Sequence, residues 1–391
     1  MKLDNTKRII ERADAIRGFR TASATVNSML VNSINANSLI PNDIEALRKA
    51  ATVFREKLNA NGDRNYSVEH TMMLMLIQNI VSKCLANEPY EVFAFFMEMI
   101  AKESRIFTAQ ELNDNPYIKN IDFSDYESGD FELGYENYKP FELQVYDVPK
   151  QIEKIFVDIP RIGCFIEEFR YPSIYQKSIK RVWMSITPNE IFTMEDHIKR
   201  ARGNVLTLGC GMGYFAYMVS LKNEVSSVTI IEREESVIEL FESVILPQFE
   251  YKDKIKVIKA DAIEYMKNLE DGVFDYCFAD IWISVEDVEP YFAIKQIGKM
   301  FKKTEISYWI EESFALYLEA FVYMELEKGY MRAKRISIPE MPYAISPAEK
   351  RIQNYIERLF ENEVISKPEH MDYYLNPNNL IDMINNTDLV Y

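Results

Sequence analysis

The chain has 391 residues, 48% hydrophobic and 27% charged, a globular composition with length enough for two or three domains. Cys84, Cys164, Cys210 and Cys277, and His70, His197 and His370, stand apart without paired spacing, so neither a disulfide framework nor a metal site is expected. A net charge of −16 argues against a nucleic-acid partner, whose phosphates call for a basic face.

The acid is unevenly spread, with +4 over residues 1–60 and −10 over residues 61–160. The opening MKLDNTKRII has no apolar run, and TMMLMLIQNIV is broken by Gln78 and Asn79. No export signal, no membrane span and a cytoplasmic setting are therefore expected.

Residues 1–112 read as a helical N-terminal domain. TKRIIERADAIRGF places Ile9, Ala13 and Ile16 at helical spacing. After Pro41, Asn42 is the expected N-cap, with Glu45 three residues on. Ser67 caps a very apolar helix through Cys84, and EPYEVFAFFMEMIAKES reads as another. Thr108 with Glu111 opens a short helix that Pro116 should end. Residues 113–158 are acidic, rich in tyrosine and without clear periodicity, so a long connection or lid is expected there. Asp114-Asn115-Pro116-Tyr117 partly matches the Asn/Asp-Pro-Pro-aromatic string of some amino-directed methyltransferases. One proline is missing and the string precedes the glycine motif, so it reads as a turn.

Residues 159–330 carry the main signal. CFIEEFRY and KRVWMSI, separated by PSIYQKS, suggest a hairpin, with Trp183 as core. TPNEIFTMEDHIKRARG is helical, with Thr187 as cap, Pro188 at the first position and Gly203 at the close. NVLTLG is a buried-type strand that runs into Gly209-Cys210-Gly211-Met212-Gly213 and a helix from Tyr214. Glycines let a ligand approach the backbone, and the helix start presents free N–H groups. A second strand ends in Glu232, 23 residues after Gly209, placed to accept from both ribose hydroxyls. A third ends in Asp261, suited to an adenine amino group, a fourth in Asp280, and KTEISYWIE is a fifth. Strand and helix alternate, so the sheet should be parallel, with its ligand at the carboxyl ends. A dinucleotide fingerprint would need its third glycine where Tyr214 stands. The spacing Gly-x-Gly-x-Gly favours S-adenosylmethionine over a nicotinamide cofactor.

The run VLTLGCGMGYFAYM, VTIIERE, IKVIKADAIEYM, FDYCFADIW resembles class I, Rossmann-like, S-adenosylmethionine-dependent methyltransferases over about residues 185–315. The strand endings are similar to the spermidine synthase branch. The resemblance implies that Gly209, Gly211 and Gly213 wrap the methionine part, with Cys210 and Tyr214 of the same turn in contact with the cofactor. It implies that Glu232 holds the ribose, that Asp261 and the Ala262 amide hold adenine, and that Asp280 faces the reacting centre. Asp280 is the candidate catalytic residue, as base or as acceptor orienting an amine. The sequence departs from spermidine synthases in reading Gly-Cys-Gly-Met-Gly for Gly-Gly-Gly-Asp-Gly. It also has Ile281, Trp282 and Ile283 after Asp280, so no diamine-gripping acidic pair is evident. Glu286, Asp287 and Glu289 fit the start of the next helix. Cys210 and Cys277 read as small buried fillers, Tyr214 and Trp282 could line the pocket, and Tyr175 and His197 have no assigned part.

Residues 331–391 are expected to form a helical extension, with RAKRISIP the one candidate strand. The expectation is an α/β protein, a Rossmann-like domain with a mostly parallel, five- or six-stranded sheet between helical ends. Its activity would be in-line methyl transfer to a small molecule, with a cationic amine favoured by the acidic segment. The alternatives are an aminopropyltransferase and a non-catalytic binder of the cofactor.

Overall fold

The computed structural model describes residues 1–60, 65–124, 126–337 and 346–387. A short strand β1 (Lys2–Leu3) leads into α1 (Lys7–Asn35), which runs well past the segment that suggested it. The reason lies in its buried positions. Ile9, Ile10, Ala13 and Ile16 pack into the core of the cofactor-type domain. Farther along, Ala22, Val26, Leu30 and Ile34 pack into a second core. One helix thus serves two hydrophobic cores.

The second core is completed by α2 (Ile44–Ala60), α3 (Val68–Cys84) and α4 (Tyr90–Glu103). Ser67 caps α3 through the His70 N–H at 3.0 Å, as expected. At α2 the cap is Asp43 and not Asn42, because the Ala46 N–H reaches the Asp43 carboxylate at 2.9 Å. After β2 (Arg105–Phe107), Thr108 caps α5 (Ala109–Asn113). Pro116 does not end that helix. It is the first residue of the next, α6 (Pro116–Asn120), which Asn115 caps by accepting from the Tyr117 N–H at 3.0 Å.

Residues 113–158 carry strands where irregular chain was expected: β3 (Tyr126–Ser128), β4 (Phe131–Tyr138) and β5 (Gln144–Ile152). They pair with β6 (Val157–Phe165), β7 (Phe169–Gln176) and β8 (Arg181–Ser185) in two sheets, ordered β2-β6-β5 and β3-β4-β7-β8. Phe131 and Leu133 point inward in β4, with Trp183 stacked on Phe131 at 4.7 Å. The β7–β8 hairpin turns after Gln176, so Pro172 lies within a strand and not in the turn.

The helix α7 (Pro188–Arg200) opens the Rossmann-like unit. Its strands are β9 (Gly203–Leu208), β10 (Val225–Glu232), β11 (Ile255–Lys259), β12 (Tyr276–Ala279) and β13 (Glu305–Tyr308). All pairs are parallel, in the order β11-β10-β9-β12-β13. That order reverses direction at β9, the switch point where α/β sheets bind ligands. Between strands lie α8 (Tyr214–Ser220), α9 (Glu235–Leu240), α10 (Ala262–Lys267) and α11 (Val288–Gly298). The helix α9 continues through a π turn over Phe241–Ile245.

After β13 comes α12 (Glu311–Lys334), followed by α13 (Pro347–Leu359), β14 (Val364–Ile365), α14 (Pro368–Tyr374) and α15 (Pro377–Asn386). The candidate strand RAKRISIP is not one where described. Arg332–Lys334 close α12, and its last residues lie outside the described range. The strands β14 and β1 pair in parallel, joining the two ends of the chain.

At the seam of the two cores, between Ile16 and Ala22 on α1, Arg20 meets Glu319 of α12. The Arg20 Nη1 donates to Glu319 Oε1 at 2.9 Å, and the guanidinium lies 4.6 Å from the Tyr323 ring centroid. Glu319 is fully buried, and burial pushes its carboxyl up to about 8 despite Arg20. Above about pH 8, where Glu319 is ionised, Arg20→Ala leaves a buried carboxylate without its cation, and a loss of about 3–5 kcal/mol is expected there. A folded-state acid pKa above the unfolded value makes stability fall as pH rises, from about 4.5 through about 8. The R20A deficit in urea denaturation should therefore be larger at pH 8.5 than at pH 5.5. A deficit that shrinks as pH rises would refute this account.

Candidate functional site

The sheet register carries the candidate residues to one edge. Beyond the strand ends, the Gly209 N–H reaches Ile231 O and the Asp280 N–H reaches Leu208 O, both at 2.9 Å. On the flanks, Trp309 N–H bonds Ala279 O at 2.9 Å and Ala260 N–H bonds Glu232 O at 3.0 Å. Gly209, Glu232, Asp261 and Asp280 thereby line up along the carboxyl ends of neighbouring parallel strands.

Three glycines shape the turn after β9. Gly209 has φ +97°, and a Cβ there would stand 2.1 Å from the Asp280 carbonyl oxygen. Gly213 has φ +74°, and its Cβ would stand 2.4 Å from the Phe241 ring. The π turn brings that ring against the start of α8, a use in keeping with π turns at functional sites. Gly211 differs. It has φ +52° and nothing within 4 Å of a Cβ position, so the middle of the turn faces open space.

Glu232 is held by backbone. Its Oε2 accepts from the Cys210 N–H at 3.1 Å, and its Oε1 from the Arg233 and Glu234 N–H groups at 2.8 and 2.9 Å. The carboxylate thus bridges the glycine turn and the end of β10. Asp261 is exposed and caps α10, accepting from the Glu264 N–H at 2.9 Å. Ala262, the first residue of that helix, is buried. Cys210 is buried and its thiol is raised by burial, with Glu232 adding to the shift. That leaves it a filler whose backbone N–H is the useful group. Cys277 is likewise buried, within β12.

Asp280 is half-buried, and loss of solvation lifts its carboxyl to about 7. A second raised carboxyl belongs to Glu190, which the sequence did not single out. Glu190, in the first turn of α7, is lifted to about 8 by burial and then by the charge of Asp280. A tether fixes this end of α7. The Trp309 indole N–H donates to Thr193 Oγ1 at 2.9 Å, one helical turn beyond Glu190. Glu190 had shown only as an acidic residue in a helix's first turn, where acids are common. His197 lies deeper on α7, 5.0 Å from the Phe278 ring centroid, and burial lowers it to about 4. It is a neutral core residue. Trp282 is buried against Tyr291 and Phe314, and its indole N–H has no acceptor among the described residues. Glu289 pairs with Arg351 of α13.

The N-terminal half reaches this turn through α6. The Asn115 Nδ2 donates to the Tyr214 hydroxyl at 2.9 Å, and the Tyr117 hydroxyl donates to the Met212 carbonyl. The Asn120 Nδ2 donates to the Tyr217 hydroxyl at 2.9 Å. Asn115, Pro116 and Tyr117 do form a cap, as a turn reading implies, but one pressed against the glycine turn. Tyr214 is buried with its hydroxyl committed to Asn115.

These features fit S-adenosylmethionine. The open face at Gly211 admits a ligand against the backbone, and a turn lined by carboxylates suits a sulfonium better than a diphosphate.

The all-parallel sheet of order β11-β10-β9-β12-β13 is Rossmann-like. Among solved structures, a spermidine synthase from Thermotoga maritima is 15% identical, with 40% of this chain covered and a TM-score of 0.26. The matched part spans 60% of that synthase's length. A putative caffeoyl-CoA O-methyltransferase from Staphylococcus aureus is 17% identical, covering 44% of this chain and 72% of its own, at a TM-score of 0.27. A putative O-methyltransferase from Klebsiella pneumoniae is 12% identical, covering 46% and 70%, at 0.29. No family model matches the chain, and no curated protein matches it. The site is read from the strand order and side chains above.

The two glycines give a direct check on the turn. Gly209→Ala should abolish folding or lower Tm sharply, since its methyl would collide with backbone. Gly211→Ala meets no atom, so it should cost only about 1–2 kcal/mol for the left-handed backbone, while weakening cofactor binding at least tenfold. Thermal melts and calorimetry measure both. Unchanged affinity in G211A would show that the open face is not the cofactor's.

Proposed function

We propose that the chain is an S-adenosylmethionine-dependent methyltransferase acting on a small-molecule acceptor, with an amine favoured. The observation that supports this most is the Glu232 carboxylate, oriented by three N–H groups beside the open glycine turn. When bound, the cofactor supplies an electrophilic methyl carbon on a sulfonium.

The chain's own part is to bind, orient and exclude water. Gly209, Cys210, Gly211, Gly213 and Tyr214 form the turn that would lie along the methionine portion. Glu232 keeps about one of its roughly four lone-pair sites for a ribose hydroxyl, because three N–H groups occupy the others. Asp261 spends one oxygen on the α10 cap and has the other for an adenine amino group, next to the Ala262 amide. Asp280 stands at the end of β12, nearest the switch point, where it accepts a hydrogen bond or a proton from the acceptor. Displacement at a sulfonium carbon demands alignment and dryness more than acid–base power.

Two carboxyls raised by burial, Glu190 and Asp280, also favour a second reading, an aminopropyltransferase using decarboxylated S-adenosylmethionine. Calorimetry with S-adenosylmethionine, S-adenosylhomocysteine and the decarboxylated form separates these. The methyltransferase reading expects the first two to bind and the decarboxylated form to bind more weakly. A preference for the decarboxylated form would overturn it, and binding of none would overturn both. Glu232→Ala should weaken S-adenosylmethionine at least tenfold. Asp261→Asn retains an oxygen for the helix cap and loses the charge, so its affinity should fall with little change in Tm. Wild-type affinity in both variants would remove these residues from the site.

A further inference from the structure

The string Asp114-Asn115-Pro116-Tyr117 lies on the glycine turn, and its polar atoms are committed there. Asn115 Oδ1 accepts from the N–H groups of Tyr117 and Ile118, at 3.0 and 3.5 Å, and Asn115 Nδ2 donates to the Tyr214 hydroxyl at 2.9 Å. Both lone pairs of the amide oxygen are spent, so none is left to hold a target amine. Tyr117 is fully buried, its ring edge-on to Tyr214 and Tyr217 at 5.3 and 5.4 Å, and its hydroxyl donates to the Met212 carbonyl. Burial holds that phenol well above its ordinary range, so it remains a donor at working pH.

The Met212 carbonyl is a point where a hold matters. Gly209, Gly211 and Gly213 all have positive φ, and glycine gives up more conformational freedom than any other residue when it is fixed. The Gly213 N–H reaches Cys210 O at 2.9 Å, closing a turn with Gly211 and Met212 at its centre. Cys210, where that turn begins, is tied to the sheet by its N–H on Glu232 Oε2 at 3.1 Å. Met212 is tied from the other side by Tyr117. Gly211, with nothing within 4 Å of a Cβ position, lies between the two ties. Fixing Met212 limits how the Gly211–Met212 peptide can turn, and that peptide borders the open face.

We propose that Tyr117 is a positioning residue for the cofactor site, fixing the turn around Gly211 from outside through the Met212 carbonyl, with Asn115 holding Tyr214 from the same cap. This rests on the reading of the open face at Gly211 as the cofactor's. Tyr117 acts in this role without touching the ligand. It selects one shape of a glycine-rich turn, so less freedom is lost when the cofactor binds. The coupling is reciprocal. A turn that takes the cofactor best when pinned requires the bound cofactor to favour docked α6 by the same factor.

The test uses the full chain, with calorimetry of S-adenosylmethionine and S-adenosylhomocysteine. Tyr117→Phe keeps the ring against Tyr214 and Tyr217 and removes the hydroxyl alone, and both affinities should fall at least fivefold. Asn115→Ser keeps a cap for α6 but is too short to reach Tyr214, and a loss of about two- to threefold is expected. Asn120→Ala breaks the 2.9 Å bond from the same helix to Tyr217, beyond the turn, so affinity should stay within twofold of wild type. Hydrogen exchange followed by mass spectrometry reads the turn without ligand. Residues 209–214 should exchange faster in Y117F than in wild type, and no faster in N120A. S-adenosylhomocysteine should slow exchange over residues 115–121 in the wild type, and by less in Y117F.

Wild-type affinity in a folded Y117F would overturn the proposal and leave the cofactor site standing, because the turn would then hold its shape alone. Equal losses in Y117F and N120A would also overturn it, since docking of α6 as a whole would be responsible and not the bond to Met212. Where Y117F does not fold, N115S decides: full affinity, with no slowing of exchange over residues 115–121 when the wild type binds, overturns the proposal. Failure of the wild type to bind either cofactor form would instead overturn the transferase reading itself.

Discussion

The close passage of Gly209 against Asp280 is the contact on which the rest of the site depends. With no side chain at Gly209, the β9 turn can run beside the backbone of Asp280, where a Cβ would stand 2.1 Å from its carbonyl oxygen. The same passage lets the Gly209 N–H continue to Ile231 and the Asp280 N–H continue to Leu208. Three strand ends are drawn together at one switch point. From there the Glu232 carboxylate reaches the Cys210 N–H, and Asp280 is left half-buried at the edge of the turn. Any residue larger than glycine would push β12 away and with it the Asp280 carboxylate.

The turn is also held from above. Asn115, Tyr117 and Asn120 of one short helix bond Tyr214, Met212 and Tyr217 in succession. Gln248, after the π turn, completes this contact by accepting from the Asp122 N–H at 2.8 Å and donating to the Asp122 carbonyl at 3.0 Å. The N-terminal half therefore touches the glycine turn itself. The segment ahead of the Rossmann-like unit is thus bonded directly to Met212 and Tyr214 of the glycine turn.

The Rossmann-like unit was legible because its signals are local. A β-branched run such as VLTLG, a turn of three glycines and an acid at each strand end all fall within short windows. The rest depended on contacts between distant parts of the chain. Residues 113–158 looked irregular because β4 earns its place by pairing with β7, some forty positions on, with Phe131 and Leu133 as its inward residues. Asn115 looked like a simple cap because its second bond goes to Tyr214. Glu190 gave the least warning. A glutamate three residues into a helix is ordinary, and only the tertiary fold buries it and brings it under the charge of Asp280.

That placement has a physical consequence at the start of α7. The positive end of a helix dipole stabilises a glutamate in the first turn as an anion. Burial and the charge of Asp280 oppose it, and they prevail, since the Glu190 carboxyl is raised to about 8.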